Sequence, residues 1–159
     1  MDPATITLSA ILGALAWELG KQVISAVAKR TQDTKESTRK MLREDIEYLV
    51  GLVCEINEAS LNYYATEFGT EKATDLSKKI KAKSKTAGMK LAAVNTQLAA
   101  VSKETVDVRL WTSFKSAAAK HLDVTRAGIW PDDDPRLGEI YRAAHHVHNS
   151  LNKVRYSNT

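Results

Sequence analysis

Proline, cysteine and aromatic side chains are scarce in this 159-residue chain, and each scarcity removes a class of structure. The three prolines stand at Pro3, Pro131 and Pro135, so Ala4 to Trp130 is free of the residue that deletes a backbone donor and breaks helices. Long helices follow. The single cysteine, Cys54, excludes an intramolecular disulfide and fits a reducing compartment; its position in the helical pattern predicts packing beside an apolar seam. Paired cysteines, HExxH spacing and phosphate-binding glycine loops are all missing, and no Ser, His and Asp set is distinguished by its spacing. No catalytic residue, metal ligand or cofactor is therefore assigned, and the chain is expected not to be an enzyme.

Charge is nearly absent from the start of the chain. Between Ala4 and Ala28 only Glu18 and Lys21 are ionised, and Lys29 and Arg30 follow at once. At 100° per residue Thr7, Glu18, Lys21, Gln22, Ser25 and Lys29 share one narrow arc. Leu8, Leu12, Leu15, Leu19 and Val23 flank it, with Trp17 in the same turns, while Ser9, Gly13, Ala16 and Gly20 form a small-residue seam that admits close backbone approach. The length suffices for a bilayer span. An acidic side chain near midspan costs roughly 2.5–3.5 kcal/mol, an amount that the nine large aliphatics mostly offset, so a lone inserted helix would be marginal.

Three readings stay open for this helix: burial in a bundle or oligomer, membrane association, or docking on another protein. Leu8, Leu12, Gly13, Leu15, Trp17, Glu18, Leu19, Gly20 and Lys21 are the candidate membrane or oligomer contacts. If the helix inserts, Lys29, Arg30, Lys35, Arg39, Lys40 and Arg43 put the body on the cytoplasmic side, at the inner face of a membrane. A cleavable secretory signal is not expected, because the basic leader is missing and Glu18 interrupts the apolar run. The organisation expected is an N-terminal helix over 1–30 and a helical bundle over 31–159.

A polar joint is expected around Thr31 to Ser37. Beyond it, Leu42, Ile46, Leu49, Val53, Ile56 and Ser60 alternate steps of four and three, a heptad seam running to Phe68, where Gly69 can end the helix and Thr70 can cap the next. Leu76, Ile80, Ala87, Leu91, Val94, Leu98 and Val101 predict a second long helix folding back antiparallel. Residues whose numbers sum to about 138 then face each other, which sets Glu55 and Glu58 against Lys83 and Lys79. A break near Ser102 to Thr105 precedes a shorter helix with Val106, Leu110, Phe114, Ala118 and Leu122 inward and Trp111 beside them. After a loop over Asp123 to Pro135, Asp134 and Pro135 start a last helix that turns Leu137, Ile140, Tyr141, Ala144, Val147, Leu151 and Val154 to one side. The fold class is all-α, an antiparallel bundle of four or five helices.

The lysine run from Lys72 to Lys90 invites a phosphate-binding reading, but no aromatic residues interleave to stack bases, and nucleic acid is not the expected partner. His145 and His148 share a helix face without a recognisable further ligand set, so surface or boundary positions are expected. Trp130 with Asp132 and Asp133 is the candidate partner loop; the alternative is that the indole closes the end of the bundle.

The opening Met1-Asp2-Pro3, the Ala/Gly/Leu-rich helix and the charged helical body resemble in layout the HeLo-type and related four-helix membrane-perturbing domains of immune and cell-death proteins. The resemblance covers the first half. It implies insertion of the first helix on oligomerisation, through Leu8, Leu12, Leu15, Leu19 and Glu18, while the WPDDDP loop and histidine-rich last helix lie outside the family's pattern. Two functions are carried forward: a membrane-associated or oligomerising helical bundle, and a soluble interaction or assembly module whose first helix is buried in its own bundle or in a partner.

Overall fold

The computed structural model describes the backbone of residues 3–101, 104–122 and 128–157, and within them the side chains from 21 onward except position 23. All regular structure among the described residues is helical: α1 (Pro3–Tyr64), α2 (Glu71–Val101), α3 (Val108–Ala119) and α4 (Pro135–Ser157). The chain divides into two compact units, Met1–Lys40 and Met41–Thr159.

The first unit is helical throughout its described length, including the stretch from Thr31 to Ser37 where a joint was expected. No proline or glycine lies there to break it. The threonines are accommodated by back-bonding: the hydroxyls of Thr31, Thr34 and Thr38 donate to the carbonyls of Val27, Arg30 and Thr34, each four residues earlier, at 2.8–2.9 Å. Ile24 and Val27 are 71% and 60% exposed.

In the second unit the predicted seam is buried. Leu42, Ile46, Leu49, Val53, Ile56 and Tyr63 sit inside, and Ser60 occupies its seam position by donating its hydroxyl to the Ile56 carbonyl at 2.7 Å. The helix ends at Tyr64, four residues before Phe68, and the turn is made by Gly69 at φ +84°, where a Cβ would be strained. Thr70 then caps α2, its hydroxyl accepting from Ala73 N–H at 3.2 Å. The α2 seam residues Ile80, Ala87, Leu91, Val94 and Leu98 face inward. Val101, at the end of the helix, is exposed. Antiparallel register is visible in two ion pairs between α1 and α2: Glu55 with Lys83, and Asp45 with Lys90 at 2.6 Å.

The link from α2 to α3 is held by Asn95, whose amide donates to the Val106 carbonyl at 3.0 Å and whose carbonyl accepts from Val106 N–H at 2.9 Å. Asp107 caps α3 by accepting from Arg109 N–H at 2.8 Å. Val106, Trp111, Phe114, Ala118 and Leu122 are buried, and the Trp111 indole packs over Gly88 of α2, where an added Cβ would meet it at an ordinary contact distance of 3.4 Å. From α4, Ile140, Ala144, Val147, Leu151 and Val154 complete the core, whereas Tyr141, expected on the apolar side, is 60% exposed. Tyr141 follows Ile140 directly, about 100° round the helix from it, which takes the phenol off the buried Ile140, Ala144 and Val147 stripe.

Leu151→Ala removes a side chain that is 1% exposed, and the expected loss is about 2–5 kcal/mol in urea denaturation. Asn95→Ala removes two hydrogen bonds that pair the Val106 peptide, with an expected loss of about 1–3 kcal/mol by the same measurement.

Candidate functional site

The candidate contacts Leu8, Leu12, Gly13, Leu15, Trp17, Glu18, Leu19 and Gly20 lie outside the residues whose side chains are described; Lys21 is exposed. The basic residues that follow, Lys29, Arg30, Lys35, Arg39, Lys40 and Arg43, are all exposed, interrupted by only two acids, Asp33 and Glu36. Among the described residues no helix is long and apolar enough to cross a membrane.

Trp130 is 7% exposed, so its indole is a plug, and of the three candidate loop residues Asp132 and Asp133 face solvent. Tyr64 stacks on the indole at 4.0 Å with 4° between the planes, and the Arg136 guanidinium carbon lies 3.7 Å over the same ring. Two groups cannot share one face, so the indole is sandwiched between phenol and guanidinium. Trp130 N–H donates to the Tyr64 carbonyl at 3.1 Å, and the His121 ring meets the indole edge-on at 5.4 Å. The tyrosine hydroxyls reach further: Tyr63 donates to the Leu122 carbonyl at 2.8 Å and Tyr64 to that of Ala118 at 3.2 Å. Arg136 is in turn held by Asp134, whose carboxylate accepts from Arg136 Nε at 2.8 Å and from its backbone N–H at 2.9 Å. The guanidinium bond holds the Asp134 carboxyl down at about 2.

The lysine run is partly consumed by structure. Lys83 pairs with Glu55 and Lys90 with Asp45 across the hairpin, and Lys78 lies 3.8 Å from Asp75 on its own helix. Hydrogen bonding from Lys83 lowers the Glu55 carboxyl, with a smaller contribution from nearby Lys79.

Helices α1 and α4 line an open groove of about 190 Å³ that sequence spacing did not reveal. Val53, Cys54 and Asn57 line it from α1, and Tyr141, Ala144, His145 and His148 from α4. Cys54, expected beside the apolar seam, is exposed here, one residue off the buried Val53. One turn along α4, Asn149 Nδ2 lies 3.0 Å from His145 Nε2, while Asn152 Nδ2 lies 3.3 and 3.4 Å from the two ring nitrogens of His148 and is directed at neither. The Tyr141 and His145 rings are parallel within 3° at 6.5 Å. Asn57 Oδ1 is shielded from solvent and has no hydrogen-bond partner. Among the described residues no three His, Cys, Asp or Glu side chains are placed to hold a metal ion.

The depressed Asp134 carboxyl gives a pH test. A carboxyl lowered from 3.8 to about 2 by folding contributes stability that is fully present above about pH 4 and lost as the pH falls through about 2. Asp134→Asn keeps a capping oxygen but not the charge, so wild type should exceed the variant in stability at pH 6 and converge on it by pH 2, read by chemical denaturation at each pH. A difference that does not change with pH would assign the whole effect to capping.

Comparison of the chain with protein families, with curated proteins and with solved structures finds no match.

Proposed function

We propose that the chain is a non-enzymatic helical-bundle protein whose N-terminal helix associates with a membrane surface or with further copies of the chain. The observation that carries this reading is the exposure of Ile24 and Val27; the core of the second unit, from Leu42 to Val154, includes no described residue of 21–40. Ile24 and Val27 both lie within the largely uncharged segment from Ala4 to Ala28. Burying an aliphatic side chain of this size is worth about 1.5–3 kcal/mol, a strong incentive to find a covering surface. The six exposed cations from Lys29 to Arg43 suit an anionic leaflet, at about 1 kcal/mol for each near the surface, and support a reading in which the body lies on the cytoplasmic side.

Membrane perturbation of the cell-death or defence type is the finer form of this proposal and rests on the resemblance in layout. The second reading is a soluble assembly module, with the small-residue seam of Ser9, Gly13, Ala16 and Gly20 packing on a partner helix.

Sedimentation with vesicles separates these readings. The full chain should pellet with phosphatidylserine-containing vesicles, pellet less with phosphatidylcholine alone, and be released by high salt. A chain beginning at Met41 retains the core and should stay in the supernatant. Dye leakage from the same vesicles tests perturbation. A full chain that ignores both vesicles and sediments as a monomer would sink both forms of the proposal.

Gly13→Leu and Gly20→Leu test the assembly reading. Each should lower the oligomeric order measured by sedimentation velocity if the seam carries the contact, and leave vesicle binding intact if lipid covers the helix instead.

A further inference from the structure

We infer, building on the membrane-surface reading above, that residues 24–38 of α1 lie flat on an anionic bilayer, with Ile24, Val27, Thr31, Thr34 and Thr38 turned toward the lipid. At about 100° per residue these five fall within about 40° of the Thr38 direction on the helix. Ile24 and Val27 supply exposed aliphatic surface. The threonines continue the face at little polar cost, because the hydroxyls of Thr31, Thr34 and Thr38 already donate to carbonyls of their own helix. A donor satisfied in this way loses no hydrogen bond when water is replaced by lipid.

Charge is sorted around that face. Arg30 stands about 80° to one side of its centre, and Lys35 and Arg39 stand about 60° and 100° to the other. The two acids of the stretch, Asp33 and Glu36, lie about 140° and 160° away, on the far side with Lys29 and Lys40. All seven are exposed. Both edges of the face are therefore basic, complementary to phosphate and carboxylate headgroups, and long basic side chains can lay their stems along lipid while the charge stays at headgroup level. A second copy of the chain offers these edges no opposite charge. Seven charges within residues 29–40 also keep the stretch out of the hydrocarbon, which leaves contact in the plane of the interface.

The test uses the full chain with Cys54→Ser, a replacement at an exposed position outside the buried core. An environment-sensitive fluorophore is attached to single cysteines from Ile24→Cys, Val27→Cys, Thr31→Cys, Thr34→Cys and Thr38→Cys, and from Lys29→Cys, Glu36→Cys and Lys40→Cys on the far side. With vesicles of phosphatidylserine and phosphatidylcholine the five face positions should brighten and shift to the blue, while the three far positions stay as in water. Lipids brominated on the acyl chain should quench the first set alone. Without labels, Ile24→Asn with Val27→Asn should lower vesicle binding severalfold at unchanged helical content, and Arg30→Gln with Lys35→Gln should lower both binding and its salt dependence. Pelleting with vesicles while the face probes stay wet would overturn the inference and leave the membrane reading standing, with contact confined to residues before 24. An equal response on both sides of the helix would overturn in-plane contact. A response of the face that appears without vesicles and grows with protein concentration would hand it to a second copy. A chain that binds no vesicles at all would overturn both the inference and the membrane reading.

Discussion

Everything in the second unit is built against one surface, the apolar seam of α1 from Leu42 to Tyr63. Contact with each other helix starts from it or its margins: Glu55 pairs with Lys83 of α2, Tyr64 reaches the Ala118 carbonyl of α3, and Glu47 pairs with Arg155 of α4. A helix buries its apolar stripe only by acquiring neighbours. Four-and-three spacing supplies a stripe nearly straight enough to accept antiparallel partners along its length. Charged residues at its edges then select register more than they add stability, since partly exposed ion pairs contribute little.

The same helix changes character along its length. Toward its C-terminal end it is a core element; through Lys29 to Lys40 it is polar and charged, with Thr31, Thr34 and Thr38 turned back on their own helix; before that it is apolar again. A polar helical stretch between two apolar ones has no core of its own to join.

At the other end of the seam, aromatic and ionic chemistry act together. Tyr64 ends α1, Trp130 stacks on it, Arg136 covers the indole, and Asp134 both starts α4 and holds that arginine. One carboxylate thus couples a helix cap to a ring stack, so the closure of the bundle depends on its charge. The two neighbouring aspartates, Asp132 and Asp133, remain at the surface.

Helical class, the seam from Leu42 to Ser60, the Gly69 turn, the Thr70 and Asp134 caps and the antiparallel pairing of Glu55 with Lys83 were legible in the sequence, because periodicity, capping and register are local properties of a chain. The joint expected at Thr31 to Ser37 was misread because polar composition was taken for a break, although threonine hydroxyls can bond within a helix. Tertiary structure alone decided the rest. Whether Trp130 faces a partner or a plug depends on Tyr64, 66 positions away, and Asn95 has a role only once Val106 is beside it. The groove between α1 and α4 arises because α4 lies along α1, bringing His145 and His148 to Cys54 and Asn57 across some ninety residues of chain. Such convergence is a product of packing between distant segments, and no spacing within either segment encodes it.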